Sequence, residues 1–137
     1  RLYNWYAVDD ARGICPSGWH VPTDEEWMIL EMELGLSSSE ANSTGWRGTD
    51  QGAQMKSSTS DSPSWNGTNV SGFSALPGGW RYNLGYFNGG QSSGVWWSAT
   101  PGGALGVWGR RLDSDHGDVN RSGGNARSGH AVRCVGD

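Results

Sequence analysis

Apolar and polar positions fall into two regimes along the chain. Up to about residue 72, helical spacing alternates with Ser-, Asn- and Gly-rich stretches; beyond it, short β-like runs are separated by glycine turns. Trp27, Leu30 and Leu34 recur at i, i+3 and i+7 and form one apolar stripe. Thr23-Asp24-Glu25-Glu26 precedes them as a capping box: the Thr23 hydroxyl can accept from the third helical N–H while Glu26 reaches back. Gly35 supplies the stop. This pattern predicts a helix over 24–34, with Asp24, Glu25, Glu31 and Glu33 on a solvated face. Gln51–Ser57 predicts a short second helix, and 37–49 and 57–72 read as loops. Leu2–Val8 is aromatic-rich and reads as a first strand. FSAL (73–76), WRY and YF around Asn83-Leu84-Gly85, VWWSAT, LGVWGRRLD, DVNR and HAVRCV read as the later strands.

In LGVWGRRLD, alternation puts Trp108, Arg110 and Leu112 on one side and Gly109, Arg111 and Asp113 on the other. Trp108 and Leu112 face the core in this reading, so Arg110 requires a buried or half-buried acid as partner. Arg111 and Asp113 then point outward beside the Asp115–Asp118 turn, on a small polar face without packing work that is available for binding. Trp80 and Trp97 are candidate aromatic anchors, although a core role suits each better.

The chain has 137 residues, the size of one domain spanning 1–137. Apolar residues make up only 34 %, but 23 Gly and 9 Trp mark a folded chain with large anchors and tight turns rather than a disordered one. No apolar run approaches a membrane span, and a net charge of −4 argues against nucleic acid as a partner. The chain opens at Arg1 without a basic-plus-apolar leader, as expected of a mature form or a piece of a longer surface or secreted protein. Cys15 and Cys134 lie near opposite ends, with no His at a metal-finger spacing from either. A disulfide between them is the favoured reading and implies work outside the cytosol; two buried free thiols are the alternative.

The sequence carries no Gly-x-Ser-x-Gly elbow, no phosphate loop, no dinucleotide fingerprint and no HExxH spacing. No enzyme activity, cofactor or metal is therefore expected. His20, between Trp19 and Val21, reads as structural. The loop Asp113-Ser114-Asp115-His116-Gly117-Asp118 is rich in oxygen ligands, but it departs from a calcium-loop template and reads as a polar hairpin turn.

The runs LYNWYAV, GICPSGWHVPTDEEW, SGFSALPGGWR, VWWSAT and HAVRCVGD resemble the Fibrobacter succinogenes major paralogous domain family, which occurs in surface and secreted proteins of gut bacteria. The resemblance runs from Leu2 to Asp137. It implies an α+β, C-type lectin-like fold, with two helices packed on a small twisted antiparallel sheet whose terminal strands pair. Two functions of that fold do not carry over. The Glu-Pro-Asn, Gln-Pro-Asp and Trp-Asn-Asp calcium motifs of its sugar-binding lectins are absent, with Ser98-Ala99 following Trp97. The late cysteine pair of the formylglycine-generating enzyme is reduced to Cys134.

Diversity-generating retroelements often vary the C-terminal part of proteins with this fold by replacing adenines, through codons that exclude Lys, Glu, Gln, Met and Trp. From Ser98 to Asp137 this chain has no Lys, Glu, Gln or Met. Trp97, Trp108, Arg110, Leu112, Gly117, Val119, Gly129, Val132, Arg133 and Cys134 match a fixed frame, and variation is expected between them at positions such as 109, 111, 113 and 116. The expected function is a non-catalytic extracellular or cell-surface ligand-binding domain, its surface within about 101–130. The candidate ligand-binding residues are Arg111, Asp113, Ser114, Asp115, His116, Asp118, Ser122, Asn125, Arg127 and Ser128. The expected partner is a protein or glycan on another cell or host surface, with membrane contact only through neighbouring segments. The rival reading is a fixed structural or adhesive module.

Overall fold

The computed structural model describes residues 1–102 and 106–137; Leu105, the first residue of one predicted strand, lies outside them. The elements in order are α1 (Trp5–Val8), β1 (Trp19–His20), α2 (Asp24–Glu33), α3 (Ser38–Asn42), β2 (Gly45–Arg47), α4 (Gln51–Met55), β3 (Gly78–Arg81), β4 (Phe87–Gly90), β5 (Ser93–Pro101), β6 (Val107–Asp113), β7 (Val119–Gly124) and β8 (Val135–Gly136). The fold is α+β, with a few short helices and a small sheet.

The capping box at α2 is formed in both directions, Thr23 accepting from the Glu26 N–H and Glu26 from the Thr23 N–H. Leu34 is the C-cap and Gly35 follows at φ 111°, a left-handed turn that glycine adopts without strain. A second capping box, Ser37 with Glu40, starts α3 inside the stretch read as loop. The predicted second helix is present as α4, two residues shorter than expected. The predicted first strand is corrected: the Asn4 side chain accepts from the Ala7 N–H and turns Trp5–Val8 into one helical turn. Trp5 is thereby buried, its Nε1 donating to Ser98 O, and only Tyr3 keeps a strand-like bridge, to His130.

Six strands form one sheet in the order β2-β7-β6-β5-β3-β4. It is mixed rather than purely antiparallel. The chain leaves β3 through the β4 hairpin and returns on the other side of β3, so β3 and β5 run parallel through Gly79 and Gly94. FSAL contributes only an isolated bridge at Ala75, and HAVRCV only bridges at His130 and Ala131 before β8. β8 pairs with β1, and the Cys15–Cys134 disulfide lies beside this pair, with Cα atoms 5.9 Å apart. The bridge closes a separation of 119 residues, worth about 4–5 kcal/mol in the chain-entropy account. It suits an oxidising, extracellular-type environment. Among the described residues, no helix is long and apolar enough to cross a membrane.

Paired residues share a face, so Trp96, Arg110 and Arg121 point together toward α2. The larger core cluster includes Trp27, Met55, Trp65, Trp96, Leu112 and Val119. A smaller one on the other face joins Trp5, Trp97 and Val107. Arg110 has the acid partners its position demands, and they correct the reading of α2: Asp24 and Glu31 are buried, not solvated. Glu31 also takes both terminal nitrogens of Arg47, at 2.9 Å each. Asp24 takes Nη1 of Arg110 and Nη2 of Arg121, both at 2.6 Å. Burial raises the Asp24 carboxyl, but the Arg121 and Arg110 hydrogen bonds outweigh it and the net shift is downward. Leftover guanidinium donors go to carbonyls at the end of α3: Ala41 from Arg47, and Asn42 from Arg121. Trp108 is half-buried rather than central, its ring 3.9 Å from the Arg121 guanidinium.

Removing one partner strands the others without water. Glu31→Gln is expected to cost about 3–5 kcal/mol, read as a lower urea midpoint at unchanged m. A loss under about 1 kcal/mol would mean that the arginines find other partners.

Candidate binding site

The outer face of the sheet carries Val95, Arg111 and Asn120 in one row and Trp97, Gly109 and Ser122 in the next. It is not free of packing work, as the sequence suggested. Trp97 is fully buried, its indole donating to Tyr3 O and its ring stacked 3.7 Å from His130. That end is covered by the N-terminal segment through Trp5. The rest is an open depression of about 470 Å3 between the β3–β4 hairpin and the end of β7.

Four candidate residues converge there: Arg111, Ser122, Asn125 and Ser128. Arg111 is half-buried, with its guanidinium 4.8 Å from the centre of the Trp80 ring, while Nε and Nη2 clasp Asp113 at 2.8 and 2.7 Å. Asp113 therefore does not present itself to solvent as expected; it is buried and holds Arg111 in place. Ser122 is exposed on β7. Asn125 Oδ1 accepts from the Arg127 N–H, which fixes the turn and leaves the amide NH2 to donate. Ser128 is 7 % exposed and so contributes to the wall rather than to an exposed surface. Arg127 is exposed on the same turn but does not line the depression.

Ser114, Asp115, His116 and Asp118 lie apart from it, in the β6–β7 turn. Ser114 and Asp115 are exposed. His116 stacks on Trp46 at 3.7 Å and 6°, and its Nδ1 is 2.9 Å from Asp118. The buried Lys56 ammonium donates to Asp113 O and His116 O, both at 2.7 Å, from beneath the turn. Burial lowers the Lys56 pKa, and Asp113, Asp115 and Asp118 partly restore it. Among the described residues, no three His, Cys, Asp or Glu side chains converge in a metal-binding arrangement. His20 has the structural role expected of it, spanning Asp137 at 2.7 Å and Glu26 at 2.8 Å, which together raise its pKa.

Sequence reasoning passed over further parts of the depression. Tyr82 and Asn83 lie on the hairpin beside Trp80 and carry no signal beyond an aromatic next to a turn. His130 is 8 % exposed, and its Nδ1 has no hydrogen-bond partner among the described residues. Gly123 and Gly124 form floor without side chains; a Cβ on Gly124 would come within 2.7 Å of the Trp97 ring.

Burial pushes His130 down to about 3 from an ordinary 6.5. The unfolded chain takes up this proton first, so stability is complete above pH 6.5 and declines as pH falls toward 3, by up to about 1.4 kcal/mol per pH unit. His130→Phe keeps a ring against Trp97 and is expected to flatten that decline. Urea midpoints from about pH 7 to pH 4 check it; equal slopes in both proteins would assign the acid loss to carboxylates instead.

No curated protein and no solved structure matches the chain. The profile of the Fibrobacter succinogenes major domain matches residues 1–136, and the chain belongs to that family.

Proposed function

We propose that this is a non-catalytic ligand-binding domain on a C-type lectin-like scaffold, working at the cell surface or in secreted form. The observation that carries the reading is the convergence of Arg111, Ser122 and Asn125 on one open depression backed by rigid sheet. Arg111 and Ser122 sit on strands and Asn125 in a turn fixed by its own hydrogen bond, and such preorganised groups bind at lower entropic cost than groups on free loops. The disulfide supports the extracellular location. The partner is a molecule on another cell or host surface. Neither a nucleic acid, a membrane nor a cofactor is part of the reading. Charge reversal at Asp113 would test the fold rather than the ligand, because Asp113 is buried against Arg111. Ser122→Trp fills the depression from an exposed position instead. Fluorescent tetramers of the domain are expected to stain intact bacterial or host epithelial cells saturably. Ser122→Trp is expected to abolish the staining without lowering the melting temperature; Arg111→Gln is expected to abolish it as well but to lower the melting temperature, because it leaves Asp113 buried without its partner. Staining unchanged by both variants would sink the assignment to this face.

A second observation favours retroelement diversification over a fixed adhesive module. Of the frame residues, Trp97, Arg110, Leu112 and Val119 are at most 1 % exposed and Gly129 is buried, whereas Trp108, Gly117, Val132 and Cys134 are half-buried and Arg133 is exposed; Arg111, Ser122 and Asn125 between them reach the depression. Packing narrows the variable set. A Cβ at Gly109 would sit 2.8 Å from Trp96 O, and Asp113 is buried, so neither position expected to vary can do so freely. Deep sequencing of the locus in its source population is expected to find variation at 114, 115, 122, 125 and 127, with 109 constant and 111 and 113 changing only together, beside a near-copy differing at adenines. An invariant locus without such a repeat would return the reading to the fixed module.

A further inference from the structure

We infer that the depression takes an uncharged saccharide unit, and takes it without calcium; this rests on the ligand-binding reading above. Its volume of about 470 Å3 lies within the roughly 300–1,000 Å3 of small-ligand sites. One wall is aromatic. Trp80 is fixed between the Gly89 backbone, where a Cβ would come within 2.3 Å of its ring, and the Arg111 guanidinium. Tyr82 meets Trp80 edge-on at 5.8 Å and continues the ridge. With the Trp80 faces taken up by Gly89 and Arg111, the half-buried edge of Trp80 and the Tyr82 ring offer the apolar surface to the C–H groups of a sugar ring and leave its hydroxyls turned toward the opposite wall.

The opposite wall supplies neutral donors and acceptors. The Asn125 NH2 has no partner among the described residues, and the exposed Ser122 hydroxyl both donates and accepts. His130 stays neutral throughout the physiological range and adds polarity to that wall without charge; its Nδ1 has no hydrogen-bond partner among the described residues. The one formal charge, Arg111, is already matched by Asp113 on two nitrogens, leaving Nη1 as a hydrogen-bond donor. An anionic ligand would have to compete with Asp113 at short range. A metal-dependent mode has no ligand set among the described residues, since none of those lining the depression is a carboxylate. Donors, acceptors and an aromatic wall without net charge match a polyhydroxylated, uncharged ring.

The test is a titration of the 15N-labelled domain, in EDTA, with neutral gluco-, manno-, galacto- and xylo-oligosaccharides. Glucuronate and galacturonate oligomers form a parallel arm. At least one neutral series is expected to saturate and to shift the amides of 80–83 and 122–125. Asn125→Asp keeps the acceptor for the Arg127 N–H and loses the NH2 donor; it and Tyr82→Ala are each expected to weaken binding at least tenfold with the fold intact by spectrum. No saturation by any neutral sugar, a preference for uronates, or a requirement for calcium would overturn the inference. Tetramer staining separates the two failures. Staining that is blocked by Ser122→Trp, lost on protease treatment of the cells and resistant to periodate rejects the saccharide and keeps the ligand-binding reading. Wild-type staining that never saturates, with no sugar bound, rejects both.

Discussion

The structure depends on a buried ionic cluster that ties α2 to the sheet. Two carboxylates of α2, Asp24 and Glu31, receive guanidinium groups from β2, β6 and β7. Charge is the organising device because apolar residues are scarce and no helix among the described residues is longer than α2: a ten-residue helix cannot fix its own orientation by packing alone. Hydrogen bonds to carboxylates are directional, so the cluster sets both the tilt of α2 and the register of three strands. The arginines outnumber the acids, and the carbonyls ending α3 take the remaining donors, which makes that five-residue helix part of the same unit.

Local signals in the sequence proved readable where the physics is local. The Thr23–Glu26 box and Gly35 delimit α2 almost to the residue, and the Ser37–Glu40 box carried the same signal for α3 but was masked by its Ser-rich surroundings. Alternation in β6 put Arg110 inward and required an acid for it, but could not say which. An acid on a helix reads as solvated unless its partner's place in space is known, so Asp24 and Glu31 were indistinguishable from Glu25 and Glu33. The aromatic run at the N-terminus reads as a strand by propensity, yet the Asn4 cap and the burial of Trp5 against Ser98 outweigh that preference.

The site was legible in part for the same reason. Outward residues of β6 and β7 follow from period two, so Arg111 and Ser122 were within reach of sequence reasoning. The hairpin that walls them in comes from a different region, through the parallel β3–β5 pairing, and only topology brings Trp80, Tyr82 and Asn83 opposite Ser122 and Asn125. Proximity in the chain misled in the other direction. Ser114 to Asp118 immediately follow Arg111 and Asp113, but the turn carries them away from the depression toward Trp46.

Lys56, the one lysine of the chain, grips the β6–β7 turn by main-chain oxygens of Asp113 and His116. Every amino acid carries such an oxygen, so the hold is indifferent to which side chains the turn displays. A tethered ammonium also cannot be diluted or chelated away, unlike a bound ion. The turn is thus anchored from below by a contact blind to its sequence, and substitutions at its exposed tip can accumulate without releasing the backbone that supports them.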